Sequence, residues 1–467
     1  MGDHSKESSF FFDNLTRIRI WIKNNSFFVA IISFIIIKLI LIGLYKVYFD
    51  FLVSQERDYF RDSLPHLDTG DTLIDLLGTR WDSEHFLRIA ILGSYLDPDD
   101  PTNHGLWNFP PLYPLLIRLL VHYSPVPLTT FISGNPYTLA AVWISNFFSL
   151  TATVVFFKMS RIYLTEEKSI ASTLLFAFFP TVFVFGTVAY SEPIFLTFGI
   201  ISWYFFEKKK YSLSGLSLTL ASLVRFAGAL LFFLYIFIYF GRKIKEENVK
   251  NAIGCLVAIP LFPILVVLRA SHRVYSWFET LPQLSQIFQN FEQKYPLIEE
   301  KKEKIGKIME FFDIGLSWVL IWGVIPLLWM IYVDTTAPIT LAEVQMRWGA
   351  KLDVPFSGLR EMFEAGSLKW GIEKLSFAFL FLGVGLFSIK RRPSFSLLII
   401  TQTLFYTSWT GIHAWGIPRY VGMIFHGHIT ITEELKTVGM VCFALGLYIL
   451  YGFKALWEFT HWSIWLI

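Results

Sequence analysis

"FFVAIISFIIIKLILIGLYKVY", residues 27–48, decides the fold. A helix needs about 20 predominantly apolar residues to cross a bilayer, and this stretch supplies them. Arg17, Arg19 and Lys23 precede it. Lysine and arginine collect on the cytoplasmic side, so residues 1–26 read as a cytoplasmic head and the chain emerges outside near Tyr48. Runs of the same kind recur at about 138–157, 169–188, 191–206, 212–226, 228–241, 251–269, 313–333, 374–389, 395–410, 417–431 and 437–456. The 467 residues are 54% hydrophobic and 16% charged, too greasy for a soluble domain. The reading is an all-α polytopic membrane protein.

Several classes drop out. A formal net charge of +3 gives no basic surface for nucleic acid. Cys255 and Cys442 both lie in apolar runs, so no disulfide or metal framework is expected. No Walker loop and no GxGxxG after a strand pattern occurs. The start, "MGDHSKESSFFFDNLTRIRIWIKNN", is too polar for a cleavable signal.

One transmembrane domain is expected over 27–457, with a tail at 458–467. Its first external loop runs over about 50–136. Within that loop, 110–121 carries Pro110, Pro111, Pro114 and Arg118 and reads as an interfacial helix. Inward runs end at "KMSR", Lys208–Lys210, "GRKIK" and Lys390–Arg392. A charged insert occupies about 275–312. The charge count does not close if both 251–269 and 313–333 cross, so one of them is expected to form a hairpin or lie along the interface. This map puts "RWDSEHF", "AYSEP" and "VRFAG" on one external face. Polar motifs converging at one mouth of a bundle are how a site forms in such folds.

Each motif has two readings. In "GTRWDSEHFLR" (78–88), Thr79-x-x-Asp82 is a capping-box pattern, so Asp82 either caps a helix or faces a site. Glu84 and Arg88 are four apart and can pair, which leaves Asp82 and His85 on another face. "WNFPPLYPLL" puts Trp107, Asn108 and Phe109 either at the headgroup level or in a site wall. In "VAYSEPIF", Tyr190, Ser191 and Glu192 are either a capped turn or a second acid at the mouth. Arg225 either snorkels or meets an anion; Arg347 beside Trp348 and Arg419 beside Tyr420 repeat the theme.

An acid facing cations beside lipid suits attack on a phosphate-activated, lipid-linked sugar. Once an arginine neutralises it, the phosphate leaves without a strong general acid. One carboxylate then suffices to take the acceptor's proton. No nucleotide site is required. Asp82, Glu84 and His85 could hold a metal, but no further ligands are apparent, and no metal or other cofactor is expected.

The strings "RWDSEHFLRIA", "WNFPPLYPL", "AYSEP", "VRFAG" and "VQMRWG", in order between about residues 80 and 420, resemble the second mannosyltransferase of glycosylphosphatidylinositol (GPI) anchor synthesis and its prokaryotic relatives. The resemblance implies a GT-C glycosyltransferase fold of about 11–13 transmembrane helices. It implies dolichyl-phosphate-mannose as donor and inverting α-mannosyl transfer, of the α-1,6 type for a GPI-precursor-like glycolipid, at the external or lumenal face. It makes Asp82 the catalytic base. Glu84, His85, Tyr190, Glu192, Arg225, Gln345 and Trp348 match the family's motif positions and become candidates for binding donor phosphate or sugar, as do Arg347 and Arg419 from their place beside aromatics at the membrane border. Where the animal and fungal enzymes typically have "RSNG", this chain has "RFAG", which leaves the acceptor open. The membrane would be the endoplasmic reticulum in a eukaryote and the cell membrane in an archaeon or bacterium, with membrane lipids and a small membrane subunit as further partners. Alternatives are a GT-C enzyme acting on another lipid-linked or protein glycan and, in a different class, a transporter of lipid-linked sugars. Transporters place their sites at the bilayer midplane and carry internal repeats; no repeat is visible here.

Overall fold

The computed structural model describes residues 25–55, 73–95, 104–124, 135–246, 315–337, 343, 351–364, 368–410 and 417–460. The helices, in chain order, are α1 (Ser26–Gln55), α2 (Leu73–Gly78), α3 (Asp82–Leu92), α4 (Leu112–Tyr123), α5 (Pro136–Ser160), α6 (Glu166–Ala177), α7 (Pro180–Phe185), α8 (Glu192–Glu207) and α9 (Tyr211–Val224). They continue with α10 (Ala227–Glu246), α11 (Gly315–Thr336), α12 (Ser357–Glu364), α13 (Leu368–Ser388), α14 (Pro393–Thr407), α15 (Ile417–Gly422), α16 (Phe425–Glu434) and α17 (Val438–Thr460). Among the described residues no sheet occurs; Leu352 and Trp409 form an isolated antiparallel bridge.

Six helical segments are long and apolar enough to cross a membrane among the described residues: Phe27–Val47, Pro136–Ser160, Ala227–Lys245, Ser317–Thr336, Gly371–Ser388 and Val438–Trp457. The protein is an all-α, multi-pass membrane protein. Several remaining runs are shorter or broken where the sequence reads as whole spans. The run at 169–188 is two helices, α6 and α7, because Pro180 has no amide hydrogen to continue the first and is well placed to begin the second. The run at 417–431 is likewise split into α15 and α16.

Most other boundaries fall within a few residues of expectation. The proline-rich run near 110–121 is α4, and within the run at 313–333 the described residues from 315 onward form one continuous helix, α11, with Pro326 inside it, so they are no hairpin. The run at 251–269, the insert at 275–312, the head up to residue 24 and the tail beyond 460 lie outside the described residues.

The chain divides into two compact units: Met1–Ile201 with Leu220–Phe226 and Trp329–Ile467, and Ser202–Thr219 with Ala227–Leu328. In the smaller unit Trp203 stacks on Phe206 with 5.4 Å between centroids and meets Tyr235 edge-on, while Arg242 pairs with Glu207 at 2.6 Å. In the larger unit α13 and α14 form an antiparallel pair, α17 packs on α7, and α1 packs on α5 and α6. One end of that unit is tied by ions: Arg392 pairs with Glu433 and donates to the Tyr163 carbonyl at 3.1 Å. The other end carries the polar motifs.

Candidate active site

Asp82 is the first residue of α3. The residue before it, Trp81, has φ 56° and ψ −129°. A tryptophan there is strained, by about 1–3 kcal/mol, and such strain concentrates at functional sites. The conformation turns the Asp82 amide toward the Tyr190 hydroxyl, which accepts its hydrogen at 3.0 Å. The helix has no side-chain cap. Thr79 donates instead to the Asp75 carbonyl at 2.8 Å. The capping reading of Asp82 therefore fails: its carboxylate leaves its own helix.

That carboxylate meets Arg419 of α15, whose Nη2 donates to Asp82 Oδ2 at 2.8 Å. The same guanidinium donates through Nε to Glu192 Oε1. Arg225, just beyond the end of α9, donates to that oxygen at 2.8 Å and to the Ser191 hydroxyl at 3.2 Å. Two carboxylates and two guanidiniums thus form one chain of formal charge zero, which offsets the cost of burying them. Arg419 and Glu192 are 2% and 1% exposed; Arg225 and Asp82 are 15% and 23% exposed. The outer two members can reach a substrate while the inner two are enclosed. Aromatic rings complete the enclosure: the Arg419 guanidinium lies 4.8 Å from the Tyr190 ring and 4.9 Å from Phe185, and Tyr406 stacks on Tyr420. Arg225 lies against an acid instead of snorkelling.

Burial by itself would raise the Asp82 pKa. The positive charges of Arg419 and Arg225 and the Arg419 hydrogen bond outweigh it and hold the carboxyl below its ordinary value. Oδ2 is engaged by Arg419. Among the described residues, Oδ1 has no hydrogen-bond partner.

The second acid sits at the start of α8, after an irregular segment, residues 186–191, whose carbonyls are all satisfied. Lys38 of α1 donates to the Gly186 carbonyl at 2.6 Å, and Asn146 to that of Thr187 at 2.9 Å. The Tyr190 amide reaches the Val188 carbonyl, Ser83 donates to Ala189 at 2.8 Å, and Ser145 donates to Tyr190 at 2.8 Å. The Ser191 carbonyl accepts the Phe195 amide and so starts α8. Non-helical backbone in a membrane protein persists only where side chains or water take its polar groups; here five of these six carbonyls are held by groups fixed on α1, α3, α5 or the segment itself.

A family model described as mannosyltransferase (PIG-V) matches residues 27–276, more than half of the chain. The chain belongs to this family. The GPI mannosyltransferase 2 of Schizosaccharomyces pombe is similar to it, with 23% identity over 238 residues. That similarity covers 49% of this chain and 47% of the other protein, so the chain spans about half the length of the relative it matches. Asp82, Tyr190, Glu192 and Arg225 lie inside the stretch matched by the mannosyltransferase (PIG-V) model, whereas Arg419 lies beyond it.

Of the residues singled out in this family member's sequence, Asp82, Tyr190, Glu192, Arg225 and Arg419 come together. Glu84 does not: it is exposed on α3. The reason is local, since the helix turns Glu84 outward while Ser83, Phe86, Leu87, Ile89 and Ala90 are buried. His85 stacks on Phe109 at 5.0 Å. Among the described residues no three His, Cys, Asp or Glu side chains gather as metal ligands. Gln345, Arg347 and Trp348 lie outside the described residues. The sequence reading missed Lys38, Ser83, Ser145 and Asn146. The signal for three of them was present as polar residues within apolar spans, which are costly unless partnered.

Proposed function

We propose that this chain transfers mannose from dolichyl-phosphate-mannose to a hydroxyl of a GPI-precursor-like glycolipid. The transfer is proposed to invert the anomeric centre, to take place at the external or lumenal face, and to occur in the endoplasmic reticulum if the source is eukaryotic. The observation that carries the reading is Asp82, with one carboxylate oxygen fixed by Arg419 and the other available. Family membership supplies the sugar; the relative's name supplies the acceptor class.

The acceptor oxygen attacks the anomeric carbon as the bond to the phosphate oxygen breaks. The hydroxyl proton passes to Asp82 Oδ1, and the lipid phosphate leaves. A carboxylate with a lowered pKa is a weak base, and a weak base is adequate. The transition state is oxocarbenium-like, as in glycoside hydrolysis, so the leaving group departs before the proton must move far. Arg225 is partly exposed and has donors beyond those given to Glu192 and Ser191, so it is assigned to the leaving phosphate. Arg419 is spent on two carboxylates and is assigned to positioning Asp82. The phosphate-linked sugar is itself the activated donor, so the reading needs no cofactor.

The test is purified protein with labelled dolichyl-phosphate-mannose and a panel of glycolipid acceptors, followed by identification of the product linkage. Mannosylated glycolipid with inverted configuration supports the reading. Movement of the donor across the bilayer without transfer would replace it with a transporter.

A further inference from the structure

An apolar cavity of about 410 Å³ lies between α7, α13 and α17, and none of the four charged residues of the site lines it. Its walls include Phe179, Pro180, Phe377, Leu380, Leu447 and Tyr448. It exists because Pro180 interrupts the chain between α6 and α7. Phe179 takes an extended conformation there, and its ring meets Phe377 and Tyr448 edge-on at 5.8 and 5.1 Å. Leu380 and Leu447 are 42% and 49% exposed on the apolar outer faces of α13 and α17, so the cavity opens sideways, toward hydrocarbon.

The inner wall belongs to the same packing as the site. Gly422 ends α15, and a Cβ placed on it would lie 2.7 Å from the Phe179 ring and 2.0 Å from Thr181 Oγ1. Only glycine allows that approach. Arg419 stands three residues earlier in the same helix, an axial rise of roughly 5 Å.

We infer that this cavity holds the polyprenyl chain of the phosphate-linked sugar donor, an inference that rests on the proposed function. The chemistry of the two lipids selects the occupant. In the donor, the transferred sugar is bonded directly to the phosphate, and the phosphate directly to the chain. The chain must therefore begin within a few bonds of the reacting carbon. In a glycolipid acceptor, the sugars already attached separate the reacting hydroxyl from its lipid, so its chains enter the bilayer farther away. Glu373 lines the cavity and pairs with Lys454 at 3.7 Å, so this part of the rim carries no net charge. The proposed reaction puts the phosphate beside Arg225, and the chain would run from there along Phe179 into the slot.

Two measurements test this. The first compares KM for a long-chain polyprenyl-phosphate-mannose with that for a two-isoprene analogue, in the native protein and in Ser376→Trp and Leu447→Trp, which fill the cavity. The expected result is that the variants raise KM for the long donor about tenfold, equivalent to about 1.4 kcal/mol, and leave KM for the short donor and for the acceptor unchanged. Normal turnover of the short donor shows that the variants are folded. Equal effects on both donors, an effect on acceptor KM instead, or no effect would each overturn the assignment. The second uses a diazirine-bearing polyprenyl phosphate without sugar. Crosslinks to α13 and α17 are expected, and crosslinks elsewhere would contradict the proposal. Because it needs no turnover, this measurement separates failure of the cavity from failure of the transferase reading.

Discussion

Arg419 sets the chemistry of Asp82. Its charge, with that of Arg225, keeps Asp82 below the ordinary carboxylate pKa against the upward pull of burial. The native state therefore holds Asp82 ionised more firmly than the unfolded chain does. The stabilisation from this pair is fully present above the unfolded pKa of about 3.9 and is lost as pH falls through the lower native value. Arg419→Gln removes the leading favourable charge and leaves burial dominant. The acid limb of kcat/KM, measured as a pH–rate profile, is expected to move to higher pH; an unmoved limb would show that Arg419 does not tune Asp82. Tyr190→Phe removes only the hydroxyl that accepts the Asp82 amide. It is expected to cost about 1–3 kcal/mol of stability, read from denaturation in detergent, with a smaller loss of turnover than any change to Asp82 itself. At this scale the sequence was partly legible. The acids and arginines stood out because charges are rare in the chain. Their pairing did not, because Asp82 and Arg419 meet across 337 positions, and the local reading of Thr79-x-x-Asp82 as a cap was chemically reasonable and is not what the helix uses.

The element that places Glu192 is the segment 186–191, and it is held by side chains from helices distant in sequence. Ser145 Oγ donates to the Tyr190 carbonyl and accepts the Tyr190 amide at 3.0 Å. Lys38 donates to the Gly186 carbonyl and to Ser149. Ser145→Ala leaves the buried Tyr190 carbonyl without its donor, while the Tyr190 amide keeps the Val188 carbonyl, at a cost of about 1–3 kcal/mol. It should lower the thermal midpoint and, by loosening Glu192, lower kcat more than it raises donor KM. Equal stability to the native protein would mean that the segment is held by packing alone. The apolar runs themselves were legible, since a run of hydrophobic residues forms a helix in lipid whatever surrounds it. The break at 178–179 was not, since a proline at the start of a helix and a proline inside one look alike until the turn is seen; the break at 423–424 carries no proline to mark it.

At the scale of the molecule, the ends of the larger unit differ in character. Tyr95, Trp107, Trp329 and Tyr332 cluster near the site: Tyr95 stacks on Trp107 at 5.0 Å and lies 5.5 Å from Trp329. The C-terminal half of α11 therefore reaches the end of the unit that carries Asp82. Arg161 and Arg391 mark the opposite end, beside Glu166 and Glu434. Single cysteines at Ser94 and Thr336 are expected to react with an impermeant thiol reagent from one side of the membrane, and those at Arg161 and Arg391 from the other. Labelling of Ser94 and Thr336 variants from opposite sides would contradict this arrangement. Charge counting did not reach this result for α11, because its flanks contain acids and lysines in similar number. Transferase activity through Asp82 remains the central claim, and it is tested most directly by comparing native protein with Asp82→Asn in the same liposomes, with labelled dolichyl-phosphate-mannose and glycolipid acceptor. The substitution keeps the size of the side chain and an acceptor oxygen but removes the base. Turnover is expected to fall by about 10²–10⁴-fold with donor binding retained; turnover equal to the native protein would contradict the account.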